Sequence, residues 1–206
     1  MAFGDALGRL FRAAADRLGA PAPREVYVVR GLRVVVENTR PDVSTPAVLE
    51  RLDEALGLVE RYQPWRLAHF RRDVREIRVV RFACRGAFFP AERAVVTELT
   101  FLARRDITAA TVASSVVHEG VHARVHAMAE RLGWRRADER WAEDLPREER
   151  LCRRAELAFG RALPSVLGGP VVERALGTLA MADQEVAPVV DWRVAGERVR
   201  DADRRG

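Results

Sequence analysis

The sequence contains no lysine, so its positive charge comes from arginine alone. The 35 basic residues and the 30 acidic residues give a formal net charge of +5 at pH 7. Acidic residues alternate with the arginines along the chain, whereas a nucleic-acid interface is expected to form a clustered basic stripe. We therefore predict no nucleic-acid partner, and an arginine-rich nucleic-acid binder is the least favoured function.

Long apolar runs and cysteines are also scarce. The chain has no stretch of about 18 uncharged apolar residues, which is the length that a membrane-spanning helix needs. Residues 1–19 include charged side chains such as Asp5 and Arg9, which the apolar core of a secretory signal would not carry. Cys84 and Cys152 are too few for a disulfide framework. These absences predict a cytoplasmic protein with no membrane partner and with two buried free thiols.

The N-terminal third of the sequence alternates between two hydrophobic periods. Apolar residues at helical spacing predict an amphipathic helix over residues 3–18 and a second helix over 46–62. Between them, residues 25–38 are rich in β-branched side chains and are interrupted by Gly31. This pattern predicts one bent strand or a hairpin.

A second β region follows, and its turn signals predict an antiparallel pair. The apolar runs over residues 77–82 and 95–102 are separated by a turn signal at Arg85 and Gly86. Pro90 is expected at an edge or a bulge, because proline has no amide proton for a central ladder.

Helical spacing dominates the C-terminal half. A helix capped by Asp106 or Thr108 should run to about Leu132 and end at Gly133. After a polar connector, Asp144 is a plausible cap for a second helix, with Pro146 in its first turn. That helix should continue to about residue 163, and another is expected near residues 171–182.

The long helix contains the motif His-Glu-x-x-His, which is the feature of the sequence most indicative of chemistry. His118 and His122 are four residues apart, so both imidazoles project from one face of the helix and can converge on one zinc ion. Glu119 stands beside the first histidine, where it can take a proton from a water molecule. His126 lies eight residues from His118, a Cα separation of about 12 Å. It is therefore not expected to bind the same ion, and we interpret it as a substrate-side or supporting residue or, preferably, as an exposed one.

A catalytic zinc ion takes three protein ligands and keeps one position open, so a third ligand must come from elsewhere. The next helix offers Glu148, Glu149 and Glu156. Glu149 and Glu156 are two turns apart and should share the inward face with Cys152, whereas Glu148 should point more toward solvent. Either Glu149 or Glu156 can therefore be the ligand, and the other can orient a histidine.

The stretch from Ile77 to Phe159 resembles the zincin metallopeptidases, and within them the gluzincin type, in which a glutamate on the helix after His-Glu-x-x-His completes the zinc site. The resemblance implies that His118 and His122 are zinc ligands and that Glu119 is the general base. Glu149 matches the ligand glutamate best, because such families carry a small residue three positions later, here Cys152; Glu156 remains the alternative.

The resemblance also implies an α+β fold, with an antiparallel sheet packed on the His-Glu-x-x-His helix and further helices. We expect a single zincin-like domain over residues 1–206. It would comprise an N-terminal part of helices and strands (1–72), a metal-binding core (76–163) and a C-terminal helical segment with a tail (164–206).

The function expected from these features is a zinc-dependent hydrolase that acts as a metallopeptidase on a peptide or protein substrate. Its hairpin at residues 84–89 would border the cleft, where backbone groups can align an extended peptide. The alternative is a non-catalytic zincin-like module that binds zinc or a peptide in a regulatory role.

Overall fold

The computed structural model describes residues 23–133 and 138–182 and the isolated positions 185, 194, 197 and 201; for residues 138–144 it describes the backbone alone. The helix predicted over residues 3–18 lies outside this part of the chain. The described strands are β1 (Arg24–Val29), β2 (Leu32–Glu37), β3 (Glu76–Val80), β4 (Gly86–Phe89) and β5 (Ala94–Glu98). The described helices are α1 (Thr45–Tyr62), α2 (Pro64–Asp73), α3 (Leu99–Ala103), α4 (Ala109–Arg131), α5 (Asp138–Ala162) and α6 (Ser165–Leu179).

The α+β class is confirmed, but the expectation of an antiparallel sheet is wrong. The strands form one mixed sheet in the order β1-β2-β3-β5-β4, in which β2 pairs with β3, and β3 with β5, in parallel. The connection from β2 to β3 contains α1 and α2, which return the chain to the same end of the sheet, as a parallel pair requires. The tight turn that was expected at Arg85 and Gly86 lies instead at residues 90–93, where it joins the antiparallel strands β4 and β5.

Of the two alternatives predicted for residues 25–38, a bent strand or a hairpin, the structure has the hairpin. Val29 pairs with Leu32, so the turn consists of Arg30 and Gly31 alone. Both residues have positive φ angles, 45° and 75°. Two successive positive φ values are typical of the two-residue turn whose twist matches that of a hairpin, and glycine adopts this conformation at little cost.

Three element boundaries differ from the predicted ones. The strand predicted over residues 95–102 ends at Glu98, because the Glu98 carboxylate accepts the amide proton of Phe101 at 2.6 Å and caps α3. Helix α5 begins at Asp138, which places Pro146 inside the helix instead of in its first turn and removes Asp144 from a capping position. Helix α6 begins at Ser165, directly after Pro164.

One face of the sheet carries the main core. Val34 and Val36 of β2, Ile77 of β3 and Val95 of β5 are fully buried in one hydrophobic cluster with residues of α1, α2, α4 and α5. The opposite face carries a smaller cluster that includes Phe89 of the edge strand β4. Helix α4 therefore packs against the main-core face of the sheet, and its middle turns are buried there.

The boundaries predicted for the long helix are confirmed by α4. The side chain of Thr108 accepts the amide proton of Thr111 at 3.2 Å and caps its start, and Gly133, with φ 66°, follows its end. Across residues 23–133 and 138–182, we find no helix that combines the length and the apolar character needed to cross a membrane.

Asp73, the C-terminal residue of α2, links that helix to α4 through its carboxylate. Its carboxylate is 1% exposed, accepts hydrogen bonds from Arg72 and Arg131, and lies 3.5 Å from Arg124. Burial opposes ionisation, but the three guanidinium groups outweigh it and lower the pKa of Asp73.

We expect Asp73→Asn to lower the free energy of unfolding by about 1.5 to 3 kcal/mol, the range for a hydrogen bond to a charged group. The native pKa is depressed, so this stabilisation is present above the unfolded-state pKa of about 3.9 and is lost as the pH falls through the native value. Urea titrations at several pH values should show the difference between the variant and the wild type shrinking in acid. Asp42→Asn, which alters an exposed pair with Arg40, is the control and should change stability little.

Candidate metal centre

The two histidines of the motif converge in the middle of α4. His118 is buried and His122 is half-buried, and their Nε2 atoms lie 3.2 Å apart. The imidazole rings meet edge to face with their centroids 5.0 Å apart. One turn of helix therefore directs both Nε2 atoms at the same point in space.

Carboxylates of α5 hold both rings in this orientation. The Nδ1 atom of His118 lies 2.7 Å from Oε1 of Glu156, and the Nδ1 atom of His122 lies 2.7 Å from Oε1 of Glu148. An ionised carboxylate can only accept, so each Nδ1–H is the donor. This arrangement leaves each Nε2 as the nitrogen that faces the centre, as in histidines that bind a metal.

Glu149 completes the set from the same helix. Its Oε2 lies 3.3 Å from Nε2 of His118, and its Oε1 lies 3.2 Å from Nε2 of His122. Both carboxylate oxygens of Glu149 thus face the pair of imidazole nitrogens.

The spacing of these donor atoms is compatible with neighbouring ligands of one small metal ion. Two ligands about 2.0 to 2.1 Å from one ion at the tetrahedral angle are about 3.3 to 3.4 Å apart. The separations of 3.2 to 3.3 Å between the nitrogens and the Glu149 oxygens match this value. Two imidazoles with one carboxylate are also a donor set typical of catalytic zinc. In addition, the Sγ of Cys152 forms a group with one ring nitrogen of each histidine in which all three atoms lie within 4.8 Å of one another.

The carboxylates favour positive charge at the imidazoles. Burial by itself would lower the pKa of His118, but hydrogen bonds to Glu149 and Glu156 raise it above its ordinary value. For His122, burial is again opposed by hydrogen bonds to Glu148 and Glu149, and the pKa lies well above its ordinary value. Conversely, burial opposes ionisation of Glu149, but the two histidines lower its pKa.

Glu119 lies beside the histidines and under the edge strand β4. Its side chain is buried, which raises its pKa, although His118 and His122 partly offset this rise. A Cβ atom added to Gly86 would lie 3.0 Å from Oε1 of Glu119. Glycine at the first position of β4 therefore leaves the space that the Glu119 carboxylate occupies, and the expected proximity of residues 84–89 to the motif is confirmed at Gly86.

Three further side chains donate hydrogen bonds to the carboxylate of Glu156. It accepts hydrogen bonds from Arg153 at 2.6 Å, from Arg174 of α6 at 2.6 Å and from Ser114 of α4 at 2.9 Å. Burial opposes ionisation, but His118 and the two arginines lower the pKa of Glu156 to about 2. Helix α6 reaches this site because it crosses α5 at Gly168, where an added side chain would collide with the backbone carbonyl of Gly160.

Two expectations about this region are wrong. Glu148 is not directed toward solvent: it is 5% exposed and faces His122. The spacing of Glu148, Cys152, Ala155 and Phe159 is that of one helical stripe, and this signal could have placed Glu148 inside. His126 is half-buried instead of exposed, with its ring against Phe88 and its Nε2 atom 3.2 Å from Glu130.

The remaining predicted residues come together, and some partners were missed. His118, Glu119, His122, Glu149 and Glu156 all meet at the contact of α4 with α5. Arg174 was not predicted, because nothing in the local sequence links it to a residue 18 positions earlier. Cys84 and Cys152 are free thiols, as expected, although only Cys152 is fully buried; burial raises the pKa of Cys152 to about 11.

Comparisons with known proteins found no match to this chain among protein families, curated proteins or solved structures.

We expect Glu156→Gln to lower the free energy of unfolding by about 3 kcal/mol, because it leaves two guanidinium groups opposite an uncharged amide in a buried network. Chemical denaturation measures the change. Glu173→Gln, at an exposed position next to Arg174 on α6, is the matched control and should alter stability little. Equal effects of the two substitutions would contradict the role of Glu156 as the charge that holds α4, α5 and α6 together.

Proposed function

We propose that this protein is a zinc-dependent metallopeptidase of the zincin-like, gluzincin type. In this proposal His118, His122 and Glu149 bind the ion and Glu119 is the general base. The observation that carries it is the set of separations of 3.2 to 3.3 Å between the two Nε2 atoms and the Glu149 carboxylate. Assigning the third ligand to Glu149 leaves Glu156 with the role of orienting His118, because Glu156 contacts the opposite ring nitrogen.

A zinc ion at this position would polarise a carbonyl group and lower the pKa of a coordinated water toward about 7. The protein supplies the remaining parts of the reaction. Glu156 and Glu148 accept the Nδ1 protons, which fixes the histidine rings and increases the basicity of the nitrogens that face the ion.

Glu119 has the position and the environment of a general base. It is buried next to His118 and His122, and burial raises its pKa above the ordinary value, the direction that favours general-base catalysis near neutral pH. We assign it the proton of the attacking water, which it then delivers to the leaving amine. Gly86 keeps the overlying strand from displacing this carboxylate.

The edge strand β4 is the proposed site for the peptide. Within the described residues β4 pairs with β5 alone, so its other side presents backbone donors and acceptors beside the motif. An extended peptide can add to such an edge as a further strand, with its main chain aligned by hydrogen bonds and its side chains directed alternately to the two faces. The contact of Gly86 with Glu119 would place the bound peptide next to the general base.

Added Zn²⁺ should stabilise the wild-type protein, because an ion that binds only the folded state shifts the equilibrium toward it. At a free concentration 100 times Kd the gain is about 2.7 kcal/mol. We expect His122→Ala and Glu149→Ala to abolish the zinc-dependent increase in Tm. His126→Ala is the matched control, one turn further along α4, and should retain it. A zinc response that survives in His122→Ala would contradict the proposed ligand set.

Glu119→Gln should keep the zinc and lose peptide cleavage. The amide preserves size but cannot accept the proton, and general acid–base catalysis is worth about 10²- to 10⁴-fold in rate. Elemental analysis and a peptide-library assay on the same preparations separate the two effects. If the wild type holds one zinc per chain and cleaves nothing in a broad library, the peptidase assignment fails and the non-catalytic zinc- or peptide-binding module takes its place.

A further inference from the structure

We propose that Cys152 is a fourth protein ligand of the metal centre, and that its thiolate closes the coordination sphere in the resting protein. This inference rests on the proposed metal site and concerns its regulation. The resulting donor set would be two imidazoles, one carboxylate and one thiolate.

Cys152 occupies the inner end of the site. It follows Glu149 by three residues and Glu148 by four on α5, so all three side chains face α4. Its side chain is fully buried, and its Sγ belongs to the group whose atoms lie within 4.8 Å of one another, together with a ring nitrogen of His118 and one of His122.

The donor-atom distances distinguish Glu149, the third ligand, from Cys152, the fourth. Zinc–sulfur bonds of about 2.3 Å and zinc–nitrogen bonds of about 2.0 to 2.1 Å place sulfur and nitrogen about 3.6 Å apart at the tetrahedral angle. The carboxylate oxygens of Glu149 already lie at ligand spacing from the Nε2 atoms. The Sγ of Cys152 lies within 4.8 Å of one ring nitrogen of each histidine. Coordination would therefore bring the sulfur closer to the two nitrogens by rotation about χ1, the single heavy-atom torsion of the Cys152 side chain. As the metal–sulfur bond forms, the S–H bond breaks and the proton leaves to solvent.

Coordination by Cys152 has two consequences for the centre. A soft thiolate favours zinc over hard cations such as Mg²⁺ and Mn²⁺. Four protein ligands also leave no open position, which is the condition of structural and not of catalytic zinc sites. Hydrolysis would then require the thiolate to leave or the coordination number to rise to five, so that Cys152 sets the balance between a latent and an open centre.

Cobalt substitution tests this assignment directly in the full chain. Co²⁺ bound to nitrogen and oxygen ligands gives weak visible bands, and a bond to thiolate adds an intense charge-transfer band in the near ultraviolet. Cys84 lies outside the group of candidate ligands, in the segment before β4. Cys84→Ser therefore leaves Cys152 as the single thiol of the chain. This variant keeps the native residue at the buried position 152, so packing there is unchanged.

We expect the charge-transfer band in both the wild type and Cys84→Ser. It should disappear in Cys152→Ser, while the visible bands persist. Visible cobalt bands without the charge-transfer band in Cys84→Ser would overturn the fourth ligand and leave the His118, His122 and Glu149 site intact. If no cobalt bands arise in any of the three proteins, the proposed metal centre fails, and the assignment of Cys152 fails with it.

Discussion

The contact between α4 and α5 through buried histidine–carboxylate pairs is the constraint on which the rest of the structure depends. Two imidazoles and the Glu119 carboxylate are withdrawn from water on α4, and burying such groups without partners costs several kcal/mol. Glu148, Glu149 and Glu156 meet the two rings at 2.7 to 3.3 Å. A different rotation of α5 about its axis would break these contacts together, so they fix how α5 packs against α4.

Helix α6 and strand β4 support the contact between α4 and α5. Arg174 reaches Glu156 from α6, and α6 approaches closely enough because Gly168 meets Gly160 without side chains between them. On the other side, the mixed sheet ends in β4, whose Gly86 leaves room for the Glu119 carboxylate. The centre is therefore supported by helices from one side and bordered by a strand edge on the other.

Local signals were sufficient for part of this architecture. The Thr108 cap and Gly133 delimit α4, and the turn at Gly31 indicates the first hairpin, because caps and turns depend on neighbouring residues only. The parallel pairing of β3 with β5 arises because β5 lies between β3 and β4 and leaves β4 at the edge, and the sequence of no single strand encodes that order. In the same way, the spacing of His118 and His122 predicts that they converge, whereas the separate roles of Glu148, Glu149 and Glu156 depend on how α5 is rotated against α4, and that rotation is set by distant partners such as Arg174.

The directions of the pKa shifts indicate which charge the pocket favours. The carboxylates raise the pKa of both histidines, and the histidines lower the pKa of Glu149, so the pocket favours positive charge at the imidazoles. Protonation of the rings is one source of that charge. A divalent cation facing the two Nε2 atoms would supply it instead, with neutral rings whose Nδ1–H groups still donate to Glu156 and Glu148. The same carboxylates would orient the two rings in that state as well.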